Sequence, residues 1–317
     1  MRINNQQQKS QGLTRRRMLQ GAAGAVAAAA AAGVPAAGEA ARWGYRRSAC
    51  CRPAALKGNI NHSVCHWCFT ADCSVKPMTI EQLACNAAAM GLKSVELVDP
   101  EHWDILKKYG LICAIANSHG FVKGFNDKAN HAMCIDKITK AVNACAAAGF
   151  PNVITFSGFR NNIPDDVGLE NTVNGLKKVI GYAEKKKVNL CIEVLNSRVD
   201  VEMKGHPGYM GDSVEWCGEV CKRIASPRMK ILFDIYHVQI MQGDVITRIR
   251  EWKDYIGHYH TAGNPGRNEM DDTQEIHYPG IMQEIVKTGF KGYVAQEFIP
   301  TRNPVQGLCD AVRLCDV

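Results

Sequence analysis

The sequence predicts a (β/α)8 TIM barrel over residues 59–317, and three observations carry that reading. From residue 59 onward, short apolar runs alternate strictly with helix-like segments, the pattern that builds a parallel sheet. Eight such units in roughly 260 residues match the size of a closed barrel. No glycine-rich phosphate loop follows the first run, which counts against the alternative of an open, doubly wound sheet.

The elements follow in order. Residues 59–65 are the first predicted strand, and 79–90 a helix stopped by Gly91. Residues 94–99 (SVELVD) are the second strand. The helix at 102–109 ends at Gly110, a residue suited to the left-handed turn that closes helices. The third strand spans 113–118, a loop 119–130, and a long helix 131–148 closes on Gly149. Strand four is 153–157, followed by a loop, helix 169–186 and strand five, 188–193. A loop through His206, Pro207 and Gly208 leads to helix 213–224 and strand six, 229–235. Residues 245–252 are helical, 256–261 form strand seven, and a polar loop runs from 262 to 278. Helix 279–288, stopped by Gly289, precedes strand eight at 293–298, and the tail after Pro304 reads as helical.

The first 40 residues read as an address. A basic patch, Arg15-Arg16-Arg17, precedes an Ala/Gly run over residues 21–33 and the small residues around Ala37. That order is a secretory signal, and the arginine pair resembles a twin-arginine type. It implies export in the folded state, with the cofactor in place, to a periplasmic or other extracytoplasmic space. Cleavage is expected near Ala37 or Ala41, leaving no stable membrane span, and residues 41–58 are a linker. Those 40 residues hold five basic residues and one acid, so without them the formal charge falls from +7 to +3. That bias is too weak to point to nucleic acid. Most of the 14 cysteines sit in apolar contexts, as small hydrophobes do. Cys65, Cys68 and Cys73 have part of a zinc spacing but no second pair to complete it. An exported chain has room for one or two disulfides, with pairing unassigned.

The chemistry gathers on strands five to eight. Glu193, Asp234, His260 and Glu297 lie at or near the ends where a barrel keeps its catalytic residues. Buried carboxylates are costly without counter-charge, and a divalent cation supplies one. Three carboxylates and an imidazole suit Mn2+ or Mg2+, with Co2+ or Zn2+ as substitutes. His237 is a candidate donor to a substrate oxygen. Arg267, and second to it Arg198, can pair with a substrate carboxylate or hydroxyl. His62 and His119 are placed near strand ends as pocket candidates, and Trp67 and Phe69 as an apolar wall. Strand alternation is expected to turn His258 away from the interior, in a structural role.

The segments IEVLNSR, FDIYHVQIMQGD, HYHTAGNPGRNE and AQEF resemble the xylose isomerase-like barrel superfamily. Within it they look most like hydroxypyruvate isomerases and the related sugar epimerases. NHSVCHWCF, HPGYMGD and EIHYPGI add to the likeness, which spans about residues 59–300. The resemblance implies that Glu193, Asp234, His260 and Glu297 are metal ligands. It implies that Glu193 and Glu297 are also the acid/base pair. It implies a small carbohydrate or hydroxy-carbonyl substrate and a homodimer or homotetramer. Histidine at 260 is the epimerase-like choice, where bacterial hydroxypyruvate isomerases are expected to carry glutamine. The activity expected is interconversion of a hydroxy-aldehyde and a hydroxy-ketone of the hydroxypyruvate/tartronate semialdehyde type, through an enediolate. The alternatives are a keto-sugar 3-epimerase or a keto-polyol dehydratase. More remote are endonuclease IV-like DNA repair, which needs more histidines and a basic groove, and a sugar-binding protein without catalysis.

Overall fold

Apolar strands joined by amphipathic helices bury both surfaces when the strands sit inside and the helices outside. The computed structural model describes residues 55–70 and 74–317. Its strands are β1 (Asn61–Cys65), β2 (Ser94–Glu96), β3 (Ile115–Ala116), β4 (Asn152–Thr155), β5 (Asn189–Glu193), β6 (Met229–Asp234), β7 (Ile256–Thr261) and β8 (Tyr293–Gln296). All pairings are parallel, in the order β2-β1-β8-β7-β6-β5-β4-β3. The two ends of that order meet. Ser94 bridges Ile112, and the Leu97 N–H donates to the Ile115 carbonyl at 3.0 Å. The sheet therefore returns on itself as a (β/α)8 barrel, the predicted fold.

The helices are α1 (His66–Thr70), α2 (Ile80–Ala89), α3 (Trp103–Lys108), α4 (His131–Ala148), α5 (Asp165–Lys186), α6 (Val214–Ile224), α7 (Ile235–Met241), α8 (Val245–Trp252), α9 (Tyr278–Lys287) and α10 (Pro304–Cys315). Local chemistry sets their ends. Thr79 and Gln82 form a reciprocal capping box on α2. Gly149, at φ 73°, closes α4. Acids at 165 and 166 and lysines at 185 and 186 match the two ends of the α5 dipole. Among the described residues no helix is long and apolar enough to cross a membrane.

Strand alternation sorts the side chains. On β5, Leu190 and Ile192 face the helices, whereas Cys191 joins the small cluster inside the barrel with Ile154, Phe156 and Leu232. Glu193 and Asp234 share the parity of Cys191 and Leu232 and so point inward. The same rule corrects two expectations. His258 and His260 are two residues apart, hence on one face, and both rings turn inward to Glu96. His62 is out of phase with the inward Ser63 and Cys65. It faces α10, 3.7 Å from Asp316, rather than the pocket.

Some elements differ from the predicted ones. The third strand shrinks to two residues, and the SVELVD strand stops at Glu96. α1 and α7 are not among the elements assigned from the sequence, apart from Ile235, which is read there as the end of strand six. In both, an apolar run directly after a strand hides the change of period from 2 to 3.6. The predicted signal segment, most of the predicted linker and Cys73 lie outside the described residues. Cys65, Cys113, Cys191 and Cys217 are buried free thiols.

Candidate metal and active site

Four neighbouring strands end on one small volume. Glu193 ends β5, Asp234 ends β6, His260 is the next-to-last residue of β7, and Glu297 directly follows β8. One ligand atom from each lies within 4.8 Å of all the others, and all four side chains are buried. The His260 Nδ1 is 2.9 Å from Glu297 Oε2 and 3.3 Å from Glu193 Oε1. Asp234 has a second duty, because its Oδ1 accepts the His237 N–H (3.1 Å) and caps α7. The four predicted donors thus come together.

Arg267 enters from the loop after β7. Its Nη2 is 2.5 Å from Glu297 Oε2 and 3.7 Å from Asp234 Oδ2. The guanidinium stands over Trp67 and Tyr236, 5.1 and 5.7 Å from the ring centroids. Its Nη1 donates to the Met203 carbonyl (2.8 Å). Trp67, on α1, donates from Nε1 to Glu297 Oε1 (3.0 Å), so it is a polar wall as well as an apolar one. Phe69 instead packs edge-on against Phe298 in the core.

His237 sits on the first turn of α7. Its Nδ1 accepts the backbone N–H of Asn196 (3.0 Å), which places the proton on Nε2. That Nε2 is buried, 3.6 Å from Asp234 Oδ2, and has no hydrogen-bond partner. Burial, reinforced by Arg267, drives its pKa well below the usual imidazole value. A neutral ring with an unused N–H beside the donor set is a ready partner for a substrate oxygen.

The remaining candidates go elsewhere. Arg198 is exposed and donates to the Ile240 carbonyl at the end of α7 (3.0 Å). His119 donates from Nδ1 to the Lys123 carbonyl (3.1 Å), while its Nε2 accepts from Thr155 (2.9 Å). Both nitrogens are occupied, so the ring anchors its loop instead of meeting a ligand. Two residues absent from the predicted site belong beside it. Glu96, at the end of β2, bonds His260 from the side away from the carboxylates. His206 packs against Phe121 and lies 5.9 Å from His237. Strand parity after Ser94 would have pointed to Glu96, and the HPGYMGD segment to His206.

The electrostatics are uneven. Burial pushes Glu193 up. Burial, then the Glu297 charge, pushes Asp234 up to about 8. Burial acts on Glu297 as well, but Arg267 and His260, with hydrogen bonds from His260 and Trp67, hold it well below the usual carboxylate range. Three buried carboxylates therefore face two cationic partners, and two of them are left short of counter-charge. This donor set, with three carboxylate oxygens and one imidazole nitrogen, fits a divalent cation.

Comparison with known proteins agrees with the barrel fold. A family model described as xylose isomerase-like TIM barrel matches residues 86–314. A putative hydroxypyruvate isomerase from Homo sapiens is 26% identical over 54% of this chain and 62% of its own length. A 2-oxo-tetronate isomerase from Cupriavidus necator is 31% identical over 40% of this chain and 46% of its own. The chain thus spans about half to three fifths of these curated relatives. Among solved structures, an AP endonuclease, family 2, from Brucella melitensis superposes with a TM-score of 0.66 at 21% identity, covering 78% of this chain and 97% of that one. A 3-keto-D-glucoside 4-epimerase from E. coli also reaches 0.66, at 16% identity, over 81% and 100%. At such identities the superpositions speak for the fold.

Proposed function

The chain belongs to the xylose isomerase-like TIM barrel family, and from that membership we propose that it is a metal-dependent isomerase of small hydroxy-aldehydes and hydroxy-ketones. The hydroxypyruvate/tartronate semialdehyde pair is the leading substrate type, in keeping with the names of its relatives. One observation carries the reading: Glu193, Asp234, His260 and Glu297 offer donor atoms within 4.8 Å at the mouth of the barrel. These four would hold the cation, with Mn2+ or Mg2+ favoured by the oxygen-rich set and Co2+ or Zn2+ as substitutes. A bound divalent cation supplies Lewis-acid stabilisation of the negative charge that develops on a substrate oxygen.

The chain's own residues do the rest. Glu193 and Glu297 are the acid/base pair: one carboxylate takes the proton from carbon, the other, in its protonated form, gives one to the neighbouring carbon, and the substrate's hydroxyl proton passes to the former carbonyl oxygen. The His237 Nε2–H holds a substrate oxygen and steadies charge on it. Arg267 keeps Glu297 ionised and closes one wall with Trp67 and Tyr236. His260 favours a second reading, a keto-sugar 3-epimerase, in which both glutamates serve one carbon from opposite faces.

Proton–deuterium exchange tests both readings in one experiment. Protein with Mn2+ is incubated in D2O with hydroxypyruvate, tartronate semialdehyde, ketohexoses and keto-inositols, and carbon-bound deuterium is read by NMR. Exchange into the three-carbon pair supports the isomerase. Exchange confined to ketohexose C3 moves the assignment to the epimerase, and no exchange rejects both. E193Q is expected to lose about 10²–10⁴-fold of the exchange rate. Unchanged exchange in E193Q would remove Glu193 from proton transfer.

Residues 1–40 are proposed to direct export through the twin-arginine route. Lysine at both Arg15 and Arg16 is expected to leave the uncleaved protein in the cytoplasm, read by fractionation; unchanged export would reject that route.

A further inference from the structure

We infer that Glu96 is a positioning residue for the donor set: it holds the Nε2 proton of His260 and so commits Nδ1 to the cation. The inference rests on the divalent-cation reading above. Glu96 ends β2, across the barrel from Glu193 and Asp234, and is fully buried. Its Oε1 accepts from His260 Nε2 at 2.8 Å and from His258 Nε2 at 2.9 Å. Its Oε2 accepts from Ser63 Oγ at 2.7 Å, and Cys65 Sγ lies 3.6 Å from Oε1. The carboxylate is therefore fixed from three sides by β1 and β7.

An ionised carboxylate can only accept, so a ring nitrogen 2.8 Å away must carry the proton. A neutral imidazole has one such proton. With Nε2 as donor, Nδ1 faces Glu297 Oε2 at 2.9 Å and Glu193 Oε1 at 3.3 Å. In the metal-free protein Nδ1 carries a second proton, donated to Glu297, and a bound cation would take that proton's place while the Nε2–H stays on Glu96. A carboxylate behind a histidine fixes the ring and raises its basicity as a ligand, a role whose loss typically weakens metal binding about 10–100-fold. His258, held by the same oxygen, packs its ring 5.3 Å from that of His260 and limits its rotation.

Cys65, Glu96 and His260 are also close enough to form a three-residue metal group of their own. Such a site would use Nε2 as a ligand and displace the very proton that Glu96 is inferred to hold, so the two arrangements exclude each other.

The test uses the full chain. With Zn2+ bound, long-range proton–nitrogen NMR of the ¹⁵N-labelled protein reads the His260 tautomer, the signals being assigned by their loss in H260Q. A protonated Nε2 with a metal-shifted Nδ1 is expected. Mn2+ titration followed by EPR is expected to show one ion per chain in the wild type and about 10–100-fold weaker binding in E96Q. S63A, which removes only the Oε2 contact, is expected to weaken binding by a smaller factor. A metal-shifted Nε2, a second ion lost in both C65S and E96Q, or E96Q affinity within twofold of wild type would each overturn the inference and leave the functional reading standing. If E96Q does not fold, the wild-type tautomer still decides. A wild type that binds neither Mn2+ nor Zn2+ sinks the functional reading, and this inference with it.

Discussion

At the scale of the residue, the two glutamates at the mouth are chemically unlike. Glu297 takes contacts from Arg267, Trp67 and His260, while Glu193 has His260 alone among these. Removing one partner of a buried ion pair strands the other charge. In metal-free protein, E297Q should therefore cost about 3 kcal/mol in urea unfolding, because it strands Arg267. E193Q should cost less than about 1 kcal/mol, since burial already favours the uncharged form of Glu193. Equal losses would contradict this division. The four donors were legible because each stands at the end of an apolar run. Parity alone could have turned Glu96 and His258 inward, but their pairing could not be read, since it depends on which strand lies across the barrel interior and one sequence carries no record of that. His62 and His119 show the converse. A histidine near a strand end is equally at home against an outer helix or tying down a loop.

At the scale of the element, α7 couples the scaffold to the chemistry. Asp234 is at once the last residue of β6, the cap of α7 and a proposed ligand, and α7 presents His237. The two duties separate by substitution. D234N keeps an oxygen for the His237 N–H but loses the charge, so it should fold with near wild-type stability and bind Mn2+ poorly. D234A loses both, and should be less stable than D234N by about 1 kcal/mol, the usual worth of an N-cap. Denaturant unfolding and Mn2+ titration of the two variants check this, and equal stabilities would discard the capping role. Elements marked by glycine stops or clean periodicity were legible to the residue, as with α4, α8 and β7. α7 was not, because its first turn, Ile235-Tyr236-His237-Val238, continues the apolar run of the strand before it.

At the scale of the molecule, the donor set stores a pH-dependent cost that a cation removes. Asp234 has a folded pKa raised to about 8 from an ordinary 3.8. The folded state thus binds the proton more tightly than the unfolded one, so this group's contribution is full below pH 3.8 and is lost as pH rises towards 8. Glu96, held down to about 2, acts with the opposite sign, but only below its ordinary 4.5. The buried histidines His119 and His206, pushed by burial down to about 4, also act with the opposite sign between pH 4 and 6.5, so the Asp234 effect is read as the difference between melts with and without the cation. The gain in Tm from saturating Mn2+ should grow between about pH 5 and 8, read by thermal melts with Mn2+ and with chelator. A gain independent of pH would argue that the cation sits elsewhere. The closure of the barrel gives the same site its mechanical setting. The wall is thinnest where β2 meets the two-residue β3, while the donors occupy the arc β5–β8. Around a ring of eight, that seam is diametrically opposite the arc. If the hoop loosens, it does so at the seam, and the spacing of the four donors is the last dimension to change.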